Sequence, residues 1–250
     1  MAGWLNGKVV AVTGGETGIG RAVALRCCAE GAAVTVAGVQ KEHLDAVVRD
    51  AAKLPGKLQA IRCDVSQEDQ VDGMVAKTVK DYGRLDAVVA NAATFNDTTG
   101  FADFTLAEWR RTMSINLDGV FLTIRAGLRQ LQKQGGGGSL IATSSSTVHR
   151  ANTHHAPYVA SKGGVEALMR TLARELAPQK IRCNIIVPGL TRTPATVREQ
   201  DYIQQQLADI PMKELVEPEE LAALVAFAIS DEVPHMTATL LKVDAGRIIG

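Results

Sequence analysis

The segment that decides the fold reads KVVAVTGGETGIG, from Lys8 to Gly20. Residues 9–12 are apolar and mostly valine, which predicts a first strand over residues 8–12, and a helix is predicted from the glycines to about Glu30. Glycine permits positive φ and lets a phosphate approach the backbone without meeting a Cβ. The start of the helix adds unpaired N–H groups and a partial positive charge. A glycine turn between a first strand and a first helix predicts nucleotide binding.

The spacing of the turn narrows this prediction. It reads Gly14-x-x-x-Gly18-x-Gly20, which differs from the commoner Gly-x-Gly-x-x-Gly. It also lacks the Gly-Lys-Ser/Thr of a P-loop, so triphosphate hydrolysis is disfavoured.

The rest of the chain alternates short apolar runs with amphipathic stretches. Further strands are predicted at Ala33–Ala37, Leu58–Cys63, Leu85–Ala90, Ser139–Ser144, Arg182–Val187 and Leu240–Val243. Helices are predicted over Lys41–Leu54, from an N-cap at Ser66 to Tyr82, from a cap at Thr105 to Lys133, and over Tyr158–Ala177 and Glu219–Ile229. This βαβ alternation with apolar strands predicts an α/β fold: a single Rossmann-like domain over residues 1–250, with a doubly wound parallel sheet flanked by helices on both faces. Ligands of such sheets bind outside the carboxyl ends of the strands.

Composition excludes several classes of function. The chain has 250 residues, 46% of them hydrophobic, and a formal net charge of +0. It has no dense basic stripe, so no nucleic acid partner is expected. No apolar run approaches the roughly 20 residues that cross a bilayer, and the N-terminus lacks the pattern of a secretory signal. The four cysteines and five histidines show no metal-ligand spacing, so we expect buried thiols, no metal and a cytoplasmic location.

Tyr158 and Lys162 are four residues apart in a predicted helix, so their side chains lie on one face. A phenol has an ordinary pKa near ~10, and a fixed cation beside it lowers that value. The spacing therefore permits a tyrosine acid/base. The same spacing is also common among surface and packing residues, so the surrounding motifs decide its meaning.

Together these motifs resemble the short-chain dehydrogenase/reductase family over essentially the whole chain. The matching pieces are Thr13-Gly14-x-x-x-Gly18-Ile19-Gly20, Asp64-Val65, Asn91-Ala92-Ala93, Asn116, Ser145, Tyr158-x-x-x-Lys162, Pro188-Gly189 with Thr193, and Val243-Asp244-Ala245-Gly246. The resemblance implies an NAD(P)-dependent oxidoreductase that interconverts a secondary alcohol and a ketone or aldehyde by hydride transfer. It also implies a homotetramer, paired through helices around 119–131 and 159–176.

The resemblance implies roles for four catalytic residues. Tyr158 is the general acid/base, Lys162 holds the nicotinamide ribose and lowers the phenol pKa, and Asn116 holds a water that links Lys162 to solvent. Ser145 hydrogen-bonds the substrate oxygen. It is selected from the run of three serines because the family serine lies thirteen positions before the tyrosine. Its neighbours in the serine run read as turn or cap residues.

The resemblance also implies the cofactor contacts. The Asp64 side chain and the Val65 backbone bind adenine, and Asn91 lies beside the adenosine ribose. Pro188-Gly189 and Thr193 contact the carboxamide of the nicotinamide. Asp64 also reads as a turn or capping residue, and the two roles are compatible. The implied cofactor set is Gly14, Thr17, Gly18, Ile19, Gly20, Gly38, Asp64, Val65, Asn91, Ala92, Tyr158, Lys162, Pro188, Gly189, Thr191 and Thr193.

The residues after the second strand leave the choice of dinucleotide open. An acid there binds the ribose 2′-hydroxyl of NAD, and a basic residue accommodates the 2′-phosphate of NADP. The segment reads Ala37-Gly38-Val39-Gln40-Lys41, with neither the acid nor the arginine, and the glycine turn supplies no cation. We expect NADP or NAD, with a slight preference for NADP because no acid repels it. Alanines at positions 93 and 245, where glycine is common, are expected to be tolerated.

We expect the wall of the substrate pocket to be formed by residues 94–101, 148–155 and 191–215. The last segment is amphipathic and predicts a small lid, although its apolar residues also suit packing on the body. Candidates to face the substrate are Phe95, His149, Asn152 and His155.

Two alternative functions stay open at this point. One is a catalytically silent cofactor-binding sensor or scaffold, which the intact set of four catalytic residues disfavours. The other is a nucleotide-sugar epimerase or dehydratase, which uses similar chemistry but generally has a larger sugar-nucleotide domain.

Overall fold

A parallel sheet organises the chain in the computed structural model, which describes residues 3–95, 100–150, 152–197 and 200–248. Within these residues the strands are β1 (Val9–Thr13), β2 (Ala33–Gly38), β3 (Lys57–Arg62), β4 (Ala87–Ala90), β5 (Gly138–Thr143), β6 (Ile181–Pro188) and β7 (Leu240–Val243). Their order across the sheet is β3-β2-β1-β4-β5-β6-β7, and all neighbours are parallel. The predicted doubly wound fold is confirmed, and its topological switch lies between β1 and β4.

Helices cover both faces of the sheet. The described ones are α1 (Gly18–Ala29), α2 (Lys41–Ala51), α3 (Glu68–Tyr82), α4 (Leu106–Met113), α5 (Gly119–Gln134), α6 (Thr147–Arg150), α7 (Ala156–Leu176), α8 (Gln200–Ala208) and α9 (Pro218–Ile229). Alternation along β1 sends Val10 and Val12 into a core with α1, α2 and α9, and Ala11 into a second core with α3, α5 and α7. The helices thus bury an apolar stripe on each face.

The start of α3 differs from the prediction. Ser66, the predicted N-cap, donates from its backbone N–H and its Oγ to Asp64 Oδ1 at 2.9 and 2.8 Å. The helix begins later, after Gln67. The prediction of Ser66 as the cap was wrong because its hydroxyl is used in the turn centred on Asp64.

Two further differences occur near the carboxyl ends of β4 and β5. The segment capped at Thr105 is not one continuous α-helix, because a π-helical turn at Ser114–Asp118 separates α4 from α5. The short α6 was not predicted, and α7 begins two residues before Tyr158, where Pro157 occupies the first turn. Proline suits a first turn because its missing N–H would lack an intrahelical partner anyway.

Ala245 follows β7 in the left-handed region, with φ of 54°, where an L-residue with a Cβ is disfavoured. We expect Ala245→Gly to raise the free energy of unfolding by about 1 kcal/mol. Thermal unfolding should then show a Tm about 2–4 °C higher.

Ala76 is the matched control, because it is exposed in the middle of α3. Ala76→Gly should lower the Tm, since glycine weakens a helix interior by about 1 kcal/mol. A decrease in Tm for both variants would contradict the strain assigned to Ala245.

Candidate active site

The candidate site begins at the switch point, where the ends of β1 and β4 are joined by side-chain hydrogen bonds. The backbone N–H of Asn91 donates to Thr13 Oγ1 at 3.2 Å. The Asn91 amide donates to the carbonyls of Thr13 and Gly14 at 3.3 and 3.1 Å, and Thr143 Oγ1 donates to its Oδ1 at 3.2 Å. Asn91 therefore fixes the glycine turn against both neighbouring strand ends.

Two glycines of the turn are required by close approaches. Gly14 has φ of 60°, and a Cβ there would lie 2.7 Å from the Cα of Ala92. A Cβ on Gly20 would lie 2.1 Å from the Gly14 carbonyl oxygen. The turn thus packs tightly under the start of α1, and the first N–H groups of that helix, after Thr17, receive no side-chain cap.

The far wall of the crevice comes from the segment after β6. A Cβ on Gly18 would lie 3.3 Å from the Thr193 side chain, so this segment reaches the glycine turn. Gly189 packs on Asp244, where a Cβ would lie 2.5 Å from its Cα, and Thr191 Oγ1 donates to the Gly189 carbonyl at 3.1 Å. Residues from both predicted ends of the cofactor site are brought together.

Lys162 is the largest fully buried side chain at the site, with 1% of its surface exposed. Its Nζ donates to the carbonyl of Thr143 at 2.8 Å and lies 5.8 Å from the centroid of the Tyr158 ring. Burial lowers the pKa of Lys162 to about 8. The predicted pairing of phenol and ammonium on one face of α7 is present in the structure.

Asn116 lies in the π-helical turn and is fully buried. Its Oδ1 accepts from the backbone N–H of Thr94 at 2.7 Å, and its Nδ2 donates to the Thr94 carbonyl at 2.9 Å. Both ends of the amide therefore hold the chain that leaves β4. Such π turns are frequent at functional sites because they interrupt the regular helical hydrogen bonding.

The serines after β5 separate as alternation along a strand predicts. Ser145 Oγ accepts from the N–H and the Oγ1 of Thr147 at 3.3 and 3.0 Å. Ser144 Oγ instead donates to Glu166 Oε1 at 2.6 Å in the interior. Ser145 retains 9% exposure, whereas Ser144 and Ser146 each retain 1%.

Glu166 is a residue of the site region that the sequence analysis missed. Its side chain is 3% exposed, one turn after Lys162 on α7. Besides Ser144, it meets His149 Nε2 at 3.0 Å and Arg170 Nη1 at 3.6 Å. His149, predicted to face the substrate, is thus held against α7. The signal in the sequence was the four-residue spacing of Lys162 and Glu166, which places both on one helix face.

An aromatic cluster lies beside the tyrosine. The ring centroid of Phe95 is 4.9 Å from that of Tyr158, with an edge-on interplanar angle of 86°, and 4.9 Å from that of His155. Phe95 is 51% exposed, so it offers an apolar surface at the crevice. Asn152 is partly exposed between α6 and α7. The predicted wall residues 96–99, Ala151 and 198–199 lie outside the described residues.

The predicted adenine contacts Asp64 and Val65 follow the carboxyl end of β3. Asp64 makes the turn with Ser66 described above, so its turn role is present, and Val65 is buried at 6% exposure. In the predicted lid, Ile203 and Ile210 are buried, whereas Met212 is 65% exposed. This segment therefore packs partly on the body of the protein.

The cysteines are free and buried. Burial raises the pKa of Cys27 and Cys183 to about 12 and that of Cys63 to about 11, which disfavours thiolate chemistry. Within the described ranges, no group of three or more His, Cys, Asp or Glu side chains is placed to hold a metal ion. None of the helices in those ranges is both long and apolar enough to cross a membrane.

Comparisons with known proteins agree with this geometry. The family described as Enoyl-(Acyl carrier protein) reductase matches residues 14–247. The 3-oxoacyl-[acyl-carrier-protein] reductase FabG of Thermotoga maritima is 35% identical over 246 residues, covering 98% of this chain and 99% of that protein. The 3-alpha-(or 20-beta)-hydroxysteroid dehydrogenase of Mycobacterium bovis is 36% identical over 250 residues, covering 100% of this chain and 93% of that protein.

A solved structure shows the same fold. It is a short chain dehydrogenase from Burkholderia cenocepacia J2315 in complex with NADP, with a TM-score of 0.92 and 31% identity. The match covers 97% of this chain and 98% of that one.

The buried Lys162 gives the first testable consequence of the site. Its pKa is depressed from 10.5 to about 8, so below pH 8 the folded protein bears a desolvation penalty of about 3 kcal/mol. The unfolded chain binds the proton more tightly between these two values, so this contribution to stability rises as the pH rises from about 8 to 10.5. We expect Lys162→Met to be more stable than the wild type at pH 7, because the variant does not bear this penalty. The gain in the free energy of unfolding is smaller than the penalty by about 1 kcal/mol, since the hydrogen bond to Thr143 is lost.

This advantage should shrink between pH 8 and 10.5, as measured by chemical denaturation. The cysteines and Tyr82 also titrate in or above this range, but they are common to both proteins and cancel in the difference. Parallel stability curves for wild type and variant would contradict the burial of a titrating ammonium.

Proposed function

Because the chain belongs to the short-chain dehydrogenase/reductase family and is an NAD(P)-dependent oxidoreductase of alcohols and carbonyl compounds, we propose that Tyr158 transfers the proton in its reaction. The observation that carries this proposal is the buried Lys162 ammonium, 5.8 Å from the ring of Tyr158 on the same face of α7. A fixed cation at this distance favours the phenolate and so brings the pKa of the phenol closer to neutral pH.

The residues at the switch point fit a dinucleotide. The glycine turn presents backbone where a Cβ on Gly14 or Gly20 would collide with neighbouring chain, and the start of α1 offers N–H groups to a pyrophosphate. Thr193 closes the crevice from the opposite side. The nicotinamide supplies or accepts the hydride when bound. In our proposal the residues implied by the family resemblance line this crevice, and Lys162 holds the nicotinamide ribose.

The remaining roles follow from what each side chain touches. Ser145 Oγ accepts from Thr147, takes no part in the Ser144–Glu166 pair and is more exposed than Ser144, so we assign it the substrate oxygen. Asn116 uses its amide on Thr94, so it supports a proton relay by fixing the chain that leaves β4. The relay water would then bind at the carbonyls of the π turn rather than at the side chain.

The substrate is proposed to be a small or medium alcohol or ketone that contacts an apolar surface beside Tyr158. Phe95 provides that surface, with His155 packed against it. The sensor and the nucleotide-sugar alternatives are not favoured. The relatives are named as a reductase and a dehydrogenase, and the match covers nearly their whole length. We further propose a cytoplasmic location, which the free, buried cysteines support.

Removing the phenol hydroxyl tests the proposed chemistry. Tyr158→Phe should lower kcat for a ketone panel with NADH or NADPH by at least about 10²-fold, because the proton donor is lost. The dissociation constant of the dinucleotide, measured by fluorescence, should change by no more than a few fold. Tyr82→Phe is the matched control, since it removes the same hydroxyl from a tyrosine at the end of α3 and should leave kcat nearly unchanged. Retained turnover in Tyr158→Phe would remove this residue from the mechanism.

We also propose a homotetramer paired through α5 and α7. Phe121 on α5 is 42% exposed, although it is a large apolar side chain. Light scattering should give about four times the chain mass of 26.6 kDa. Phe121→Glu should yield a smaller species with unchanged circular dichroism, whereas Leu106→Glu, exposed on α4, should leave the mass unchanged. A monomeric wild type would contradict the proposal.

A further inference from the structure

The acid that the sequence lacks after β2 is supplied from the glycine turn. Glu16 is 8% exposed, although its side chain is charged and lies at the mouth of the crevice. Its Oε1 accepts from the backbone N–H of Val39 at 3.0 Å. The carboxylate therefore lies over the carboxyl end of β2, where a dinucleotide fold normally places its own acid.

Gly38 makes room for this carboxylate. A Cβ at Gly38 would lie 2.1 Å from the Glu16 Cδ and Oε2, closer than any real contact. The absence of a side chain at the end of β2 and the acid in the turn are therefore complementary. An aspartate or serine at position 38 would occupy the space that Glu16 fills.

The second oxygen of Glu16 is free to bind a ligand. Oε2 is buried and has no hydrogen-bond partner among the described residues. A buried acceptor without a donor is unfavourable by about 1–3 kcal/mol, so such atoms call for an explanation. A ribose hydroxyl is a donor of the required kind, and a phosphate at the same place is repelled by the carboxylate.

The cations nearby do not offset this charge. Lys41 at the start of α2 is exposed and paired with Asp45. Arg62 is the register partner of Gly38 on β3, but it is exposed and forms no ion pair within the described ranges. Arg62 could instead attract a 2′-phosphate, so the test includes it.

We propose that Glu16 makes this enzyme select NAD over NADP, by accepting the ribose 2′-hydroxyl and repelling a 2′-phosphate. The inference rests on the proposed function, and it reverses the slight preference for NADP that the sequence alone suggests. Glu16 acts here as a specificity residue for the cofactor and has no part in the proton transfer.

Calorimetric dissociation constants for NAD⁺ and NADP⁺ test the proposal without any turnover. The wild type should bind NAD⁺ at least about tenfold more tightly than NADP⁺, which corresponds to 1.4 kcal/mol. Glu16→Gln keeps an acceptor for the Val39 N–H but removes the charge. It should weaken the binding of NAD⁺, strengthen the binding of NADP⁺ and bring the ratio of the two dissociation constants close to one. Arg62→Gln is the matched control and should leave the preference for NAD⁺ in place.

The outcomes separate this inference from the proposed function. A wild type that binds both dinucleotides but prefers NADP⁺, or shows no preference, overturns the role of Glu16 and leaves the oxidoreductase intact. An unchanged preference in Glu16→Gln, or loss of the preference for NAD⁺ in Arg62→Gln, would likewise overturn it. A wild type that binds neither dinucleotide overturns the proposed function and the inference together. The wild-type ratio is decisive even where a variant folds poorly.

Discussion

The burial of the Lys162 ammonium beside Tyr158 is the interaction on which the site depends. Its Nζ donates to the Thr143 carbonyl at the end of β5, so the position of the cation depends on the docking of α7 on the sheet. Burial depresses the pKa of Lys162, which means that the folded protein holds this group at a cost in stability. That cost is accepted at functional sites, where charges are placed for chemistry rather than for stability.

A set of polar contacts holds α7 in the required position. Glu166, one turn beyond Lys162, joins Ser144 at the end of β5 to His149 on α6. On the neighbouring side, Asn91 ties the glycine turn to Thr143, whose carbonyl accepts from Lys162. The two halves of the site, one for the dinucleotide and one for proton transfer, therefore share the end of a single strand.

The strands, the glycine turn and the Tyr158–Lys162 pair could be predicted from the sequence, because each depends on local periodicity or on the spacing within one helix. The π turn at Asn116 could not, since it arises where α4 and α5 pack on α7 and the end of β4. Glu16 was missed as the acid for a similar reason. Its carboxylate reaches Gly38 across 22 positions of chain, and only the paired geometry of β1 and β2 brings the two together.

Direct titration of the tyrosines tests the central claim most sharply. The chain has three, Tyr82, Tyr158 and Tyr202, and burial raises the pKa of Tyr82 to about 12, well apart from the expected Tyr158 transition. Ultraviolet difference titration, with Tyr158→Phe to assign the signal, should show Tyr158 ionising well below the ordinary value of about 10. The same transition should move upward in Lys162→Met. An ordinary Tyr158 pKa that does not respond to the loss of Lys162 would contradict the account.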